Sequence, residues 1–489
     1  YSYLPGYVEA AFYHLAVLKG DAIEAVYACQ LLHALMALIT AWLIARIGRR
    51  LDGQMAGIVA AVLMTGTPWV IVTGSLAYNE MVVTLMLAAG MLAEMEQRVS
   101  PWRRGAMIGM FAAAACGAKL TAVGMAAVPL GMALLFSIDR RRWPAAMGCA
   151  ALLGLIVLAA WLIRNTVACG NPLFPFATGI FGTAHWSVEQ AAIWSAGHAS
   201  DGTLGERMHA LWNQLLRFGL GVNPSEGEPW KPQWLILPWI AMIGVVIGIV
   251  QPRTRRWSLA LLAMMFVQVA FWLMFTHLQS RFLLSAVVPI SLCAAVGISA
   301  LLRATRSSLI RRALTMLTAL GLIAWCSAPA AIFRNEARGA PAAAIGLARM
   351  FTGDDLAPLK QRELGLSTFP ALFVNHVVPA SGRVLLVGEA APLYYRPERI
   401  TYNTVWDRGP LSRIMREQPD DPAAWVSALR EAGYTHVIVN PSMLERWERS
   451  RWNDPSITAK GVMGFANTHL QLVQRYPRGE FLFEIPLAN

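Results

Sequence analysis

Few ionisable side chains interrupt the apolar stretches of this sequence, and those that do suit one kind of chemistry. Glu80 supplies a carboxylate within Tyr78-Asn79-Glu80, Lys119 an ammonium within Gly117-Ala118-Lys119, and Arg164 and Arg281 each a guanidinium. Asn171 stands in Gly170-Asn171-Pro172-Leu173-Phe174-Pro175, and His277 and Gln279 precede Arg281. Lys and Arg bind phosphate, while a carboxylate holds a metal ion or orients a hydroxyl. Gathered together, an acid, a Lys and an Arg make a pocket for an anionic, lipid-linked group. Each residue also has a plainer reading. Asn79 can cap a helix and Glu80 can complement its dipole, worth about 0.3–1 kcal/mol. Lys119 can snorkel to lipid headgroups and Arg281 can anchor to them. His277 can be an interfacial histidine, and Gly170–Pro175 is a turn in either case. No Ser/His/Asp or Cys/His arrangement offers nucleophilic catalysis.

The elements that must position these groups follow from composition. Of 489 residues, 56% are hydrophobic and 14% charged, and the mean hydropathy is +0.46. A soluble domain carries about 25% charged residues, so composition excludes a disordered chain and argues against a purely soluble enzyme. Apolar stretches of about twenty residues, enough to cross a bilayer, fall near 23–47, 56–74, 80–97, 144–163, 233–250, 257–275, 282–302 and 313–331. The stretch 105–137 is too long for one crossing and holds Lys119 near its middle. A lone ammonium at mid-bilayer costs at least about 2.5–3.5 kcal/mol, so two short helices meeting at Gly117-Ala118-Lys119 are predicted. The fold class is an α-helical polytopic membrane protein of about ten crossings.

Every second connection is short and basic: Arg46, Arg49 and Arg50; Arg98, Arg103 and Arg104; Arg140 to Arg142; Arg253, Arg255 and Arg256; Arg303, Arg306, Arg311 and Arg312. The connections between them hold far fewer cations. Positive residues stay cytoplasmic, so the net charge of +12 is a topology signal and implies no nucleic-acid partner. Parity then puts residues 1–22, 74–80, Lys119, 164–232, 275–281 and everything after about 332 outside the cytoplasm. The candidate groups therefore share the outer level. The six cysteines show no disulfide framework or metal spacing, and all six read as small buried hydrophobes.

Composition changes after Ala331, giving two domains: a membrane body over 1–332 and an extracytoplasmic α/β domain over 333–489. Arg383–Gly388, Arg399–Thr404 and Thr435–Val439 read as strands, and Leu470–Val473 with Phe481–Ile485 as a closing hairpin. Asp421-Pro422 opens a helix through Glu431 that Gly433 ends. Gly388-Glu389-Ala390-Ala391 follows a strand without the GxGxxG fingerprint, so no nucleotide site is read there.

The order of these elements resembles the polytopic glycosyltransferases of the GT-C fold, in the branch holding protein O-mannosyltransferases and the bacterial aminoarabinose transferase of lipid A. The matching pieces are Tyr3-Leu4-Pro5-Gly6, Ala77-Tyr78-Asn79-Glu80, Gly117-Ala118-Lys119-Leu120-Thr121, Arg164-Asn165 with Gly170–Pro175, and Arg281. The resemblance implies inverting transfer of a sugar from a polyprenyl-phosphate carrier to a lipid, glycan or protein acceptor on the outer face of a bacterial inner membrane. Glu80 then becomes the catalytic carboxylate, with a divalent metal left open as its ligand. Tyr78, Asn79, Lys119, Arg164, Asn171, His277 and Arg281 become substrate-binding residues. The family's catalytic aspartate lies in the first outside loop after the first crossing. Tyr1 falls inside that loop, so the chain is expected to be a fragment with this base upstream. The branch's acid-Lys pair before its prolines is replaced by Tyr1-Ser2-Tyr3-Leu4-Pro5. A transporter or flippase of lipid-linked sugars, or a polymerase or ligase, is the competing reading. A transporter should show paired broken helices in inverted halves.

The alternation of basic and non-basic connections predicts opposite sides for positions 141 and 460. In a variant lacking the native cysteines, a membrane-impermeant thiol reagent applied outside should label a cysteine at 460 and spare one at 141. The reverse pattern would overturn the orientation.

Overall fold

Helices dominate the structure, a computed structural model that describes residues 6–19, 22–199, 202–217, 233–332, 369–389 and 392–486. Tyr3-Leu4-Pro5, Ala390-Ala391 and the stretch after Ile332 where the domain change is expected lie outside the described residues. The first eight helices are α1 (Tyr7–Lys19), α2 (Ala22–Asp52), α3 (Gln54–Thr65), α4 (Pro68–Gly74), α5 (Glu80–Glu94), α6 (Pro101–Ala118), α7 (Val128–Ser137) and α8 (Trp143–Cys169). Helices Leu237–Val250, Arg255–Phe275, Val287–Ala304 and Ser308–Ile332 complete the membrane body.

Each apolar run of the sequence carries a helix. Ala25–Asp52, Arg140–Cys169, Arg255–Phe275, Ser280–Ala304 and Ser308–Ile332 are long and apolar enough to cross a membrane alone. The run at 56–74 is a bent pair, α3 and α4, kinked by 62°. Pro68, with no N–H to give the preceding turn, explains the bend. The other apolar runs carry α5, α6, α7 and Leu237–Val250, which do not reach that length and hydropathy together, so the described residues give five such helices, or six with the bent pair, against about ten crossings expected. The long run 105–137 divides where the sequence indicates. Helix α6 stops at Ala118, Lys119 is extended (φ −158°, ψ 123°), and a π-helical turn over Val123–Ala127 leads into α7. Helix α1 has no counterpart among the sequence expectations, being too short to register as an apolar run.

Burial separates the helices into two kinds. In Ser280–Ala304, 89% of the apolar window is buried, against 11% in α8 and in Ser308–Ile332. The first is the body's central element; the other two turn most of their apolar surface outward, as lipid-facing helices do. Small residues set the close approaches. A Cβ added at Gly105 or Gly109 on α6 would collide with the Ala146 or Ala150 carbonyl on α8. One at Gly244 would strike the Cys293 carbonyl of the central helix.

The basic connections tie the far ends of α2 and α5 to their neighbours. Arg104 pairs with Glu94 at 3.3 Å, Arg50 with Glu96 at 3.0 Å, and Arg303 with Asp52. All six cysteines are free, but only Cys29, Cys116 and Cys293 are buried as expected; Cys149 and Cys169 are half-buried and Cys326 is exposed, because apolar runs on outward-turned helices do not bury every side chain.

After the membrane body the described chain forms a five-stranded sheet in the order β2-β1-β3-β5-β4. Its strands are β1 (Val384–Val387), β2 (Ile400–Thr401), β3 (His436–Val439), β4 (Gln471–Arg475) and β5 (Phe481–Glu484). Strands β2 and β3 flank β1 in parallel, and β5 joins β3 antiparallel. Alternation fills both faces, with Leu385, Val387, Val437 and Phe483 in one core and Val384, Leu386, Ile438 and Leu482 in the other. Helix Pro422–Glu431 begins at Asp421, whose side chain accepts from the Ala424 amide, and Gly433 follows at φ +83°. The strands, helix and hairpin read from the sequence are all present.

The glycine contacts between α6 and α8 predict an asymmetry. Gly109→Leu should lower thermal stability in detergent by about 1–3 kcal/mol or more, since backbone cannot yield. Gly148→Leu, on α8 where an added Cβ meets nothing within 4 Å, should leave the melting temperature near wild type. Equal effects would refute the packing argument.

Candidate functional site

Glu80 is the first residue of α5, and its carboxylate is 5% exposed. Lys119 reaches it from the end of α6, with Nζ 2.7 Å from Oε1. The break at Lys119 makes this possible, because an ammonium inside a continuous helix would point along that helix's own face. Arg281 approaches the same oxygen, with Nε at 4.0 Å. It lies on a short 3-10 turn, Ser280–Ala286, leading into the central helix. Phe282, its neighbour, gives the cations a shared aromatic face. Lys119 Nζ sits 4.3 Å from the ring centre, and the Arg281 guanidinium 5.1 Å from it and 5.4 Å from that of Tyr78. Each such contact adds about 0.5–2 kcal/mol and leaves the cation free to take an anion from another direction.

Asn79 does not act as expected. It precedes α5 but makes no side-chain cap. His33 Nε2 instead accepts the Met81 amide at 3.1 Å. The Asn79 amide turns away, donating to Glu9 Oε1 at 2.8 Å and to the Ala118 carbonyl at 3.4 Å. Gly6 lets α1 lie here: a Cβ on it would stand 2.9 Å from the carbonyls of Gly117 and Ala118. Glu9, Phe282 and His33 were not singled out in the sequence, and only the acid within an apolar helix offered a signal.

The other candidates fall in two places. His277 packs edge-on to Phe282 at 4.8 Å and against His198 at 5.9 Å. Burial, reinforced by the charges of His198 and Arg281, pushes its pKa down to about 4, so the ring is neutral at pH 7. From His198 the rings continue to Trp406 at 5.1 Å and Trp452 at 5.3 Å, in the sheet domain. Trp186 donates to Asp407 at 3.0 Å and Arg408 pairs with Glu189 at 3.0 Å, fastening the loop after α8 to that domain. Asn171 lies in this loop and not in the charged cluster. Both its amide hydrogens go to carbonyls, of Phe176 at 3.0 Å and Gly182 at 3.1 Å, while Oδ1 accepts from Leu173. It is a clamp for the loop. Arg164 is exposed on α8, next to fully buried Asn165. Nothing brings it to Glu80.

A metal finds a poor donor set here. Lys119 occupies one oxygen of Glu80, and among the described residues no three His, Cys, Asp or Glu side chains converge.

The multi-pass bundle with a trailing α/β domain has the GT-C fold, as its likeness to solved structures shows. Residues 6–288 match the model of a family described as a domain of unknown function, DUF8201, to which the chain belongs. No curated protein matches it by sequence. Among solved structures it is similar to ArnT from Cupriavidus metallidurans bound to undecaprenyl phosphate, with TM-score 0.55 and 15% identity over 94% of this chain and 84% of that one. The arabinofuranosyltransferase AftD from Mycobacteria gives 0.51 at 14% identity, over 99% of this chain and 35% of that one. The chain thus spans about a third of AftD's length.

The contact at 2.7 Å generates a stability prediction. Lys119→Met should cost about 3–5 kcal/mol, because it strands the Glu80 carboxylate. The double variant Lys119→Met/Glu80→Gln should recover much of that loss. Additive losses in thermal unfolding would show that the two side chains do not depend on each other.

Proposed function

We propose that the protein is a glycosyltransferase that moves a sugar from a polyprenyl-phosphate carrier to an acceptor. The carrying observation is the convergence of Lys119 and Arg281 on one buried carboxylate, beside Phe282 and Tyr78. Two cations that share one carboxylate can both accept a phosphate, and the aromatic faces suit an isoprenoid chain or sugar ring. Likeness of fold to ArnT, whose structure holds undecaprenyl phosphate, supports the same reading.

On this reading the cations hold the carrier phosphate and stabilise the charge that develops as the bond to the sugar breaks. Glu80 positions Lys119 and faces the reacting bond. The acceptor hydroxyl must lose its proton to a general base as it attacks. The distribution of arginines supports placing the sheet domain and the cluster outside, and the family resemblance supports a bacterial inner membrane as the location. A transporter is less well supported. The second helix break, at Gly66-Thr67, bears no ionisable side chain, so charge collects at a single break.

The test uses undecaprenyl phosphate as the ligand. Arg281→Ala, at a partly exposed position that tolerates truncation, should weaken carrier binding by about 2–5 kcal/mol. With a competent donor, Glu80→Gln should lower turnover by about 10²–10⁴. Wild-type carrier affinity in Arg281→Ala would remove the proposal.

A further inference from the structure

Glu9 brings a second carboxylate to the cluster. As the third residue of α1 it could be a first-turn acid beside the positive end of the helix dipole, a role that needs only water around it. Its surroundings differ from that role. Asn79, from another element, donates to Oε1 at 2.8 Å. Oε2 is buried without a hydrogen-bond partner among the described residues; burial raises the carboxyl's pKa, the Asn79 contact and the charge of Lys119 lower it, and the charge of Glu80 adds to the rise. Glu80 repeats the pattern, with Oε1 on Lys119 and Oε2 buried without a partner among the described residues. Native structures seldom leave a buried acceptor without a donor. Here two carboxylates are each anchored through one oxygen, and each keeps the other oxygen empty within the same charged cluster.

We propose that Glu9 Oε2 and Glu80 Oε2 form a subsite for the sugar ring of the donor, each accepting a hydrogen bond from a sugar hydroxyl. The inference rests on the glycosyl-transfer reading and divides that site in two. A phosphate is repelled by the carboxylates and drawn to Lys119 and Arg281. A hydroxyl is a neutral donor, and a sugar ring carries several at fixed spacing, so it meets two empty acceptors without adding charge. The donor is thereby oriented across the bond that must break, phosphate toward the cations and ring toward the acids. Asn79 fixes the Glu9 carboxylate as Lys119 fixes that of Glu80.

The full chain in lipid nanodiscs would be titrated with undecaprenyl phosphate and with undecaprenyl-phosphate sugars bearing glucose, mannose or arabinose. Wild type should bind at least one sugar-linked form roughly 10- to 100-fold more tightly than the bare carrier, the range expected of hydrogen bonds to a charged group. Glu9→Gln, which keeps an oxygen for Asn79, should abolish that preference while melting as wild type does. Arg281→Ala should weaken all four ligands by a common factor and leave the preference in place. No preference in wild type, or an intact one in Glu9→Gln, overturns the subsite. A preference that disappears with EDTA puts a metal at those oxygens and overturns it equally. Failure of the bare carrier to bind wild type at all would instead overturn the donor reading.

Discussion

A carboxylate and an ammonium buried in apolar surroundings must find each other, and the contact between Glu80 and Lys119 at 2.7 Å is the constraint on which this end of the bundle depends. Removing either charge from water costs several kcal/mol, and only close pairing with further hydrogen bonds offsets it. The pairing dictates local backbone. Helix α5 has to begin at Glu80, because one turn later the carboxylate would sit deep along the helix. Helix α6 has to stop at Ala118 so that Lys119 can leave the helical path and turn across. The π-helical turn at Val123–Ala127 then returns the chain to a helix after the interruption.

The rest of the body holds those two ends still. Helix α5 rises about 1.5 Å per residue, and its other end is fixed by Glu94, buried and paired with Arg104. Ion pairs thus fix α5 at both termini, while glycine contacts lock α6 to α8. Arg281 and Phe282 enter from the 3-10 turn of the most buried helix, so the partner cation is also mounted on a rigid element. From Phe282 the rings of His277, His198, Trp406 and Trp452 run in sequence to the sheet domain. Neutral His277 suits that chain, because a charged imidazolium there would face Arg281.

Much of this was legible in the sequence, for identifiable reasons. Twenty-residue apolar runs, arginines in alternate connections and a lysine inside an overlong run are local signals, and they located the helices and the break at Lys119. Period-two alternation and the Asp421-Pro422 start did the same for the sheet domain. Less legible were partners set by tertiary approach. Asn79 looks like a cap by position, yet its amide is taken by Glu9, seventy residues away in sequence, and His33 serves the helix start instead. Asn171 looked like a ligand group because it is polar in a Pro-rich turn; its amide hydrogens are spent on that turn. The crossing at 56–74 reads as one run because hydropathy is blind to the bend that Pro68 introduces.

The charge balance of the cluster gives the last step. Glu80 is shared between Lys119 and Arg281, with Glu9 held beside them through Asn79, so the members of the cluster hold one another. An entering phosphate adds negative charge and must compete with Glu80 for both cations. That competition weakens any simple anion, inorganic phosphate included, whose arrival only trades one charged contact for another. A ligand gains when the rest of it gives the released carboxylate a donor. On the proposed reading the sugar ring is that donor, so phosphate and sugar are each bound better in the presence of the other. Discrimination between a loaded and a spent carrier then follows from four side chains and requires no movement of the bundle.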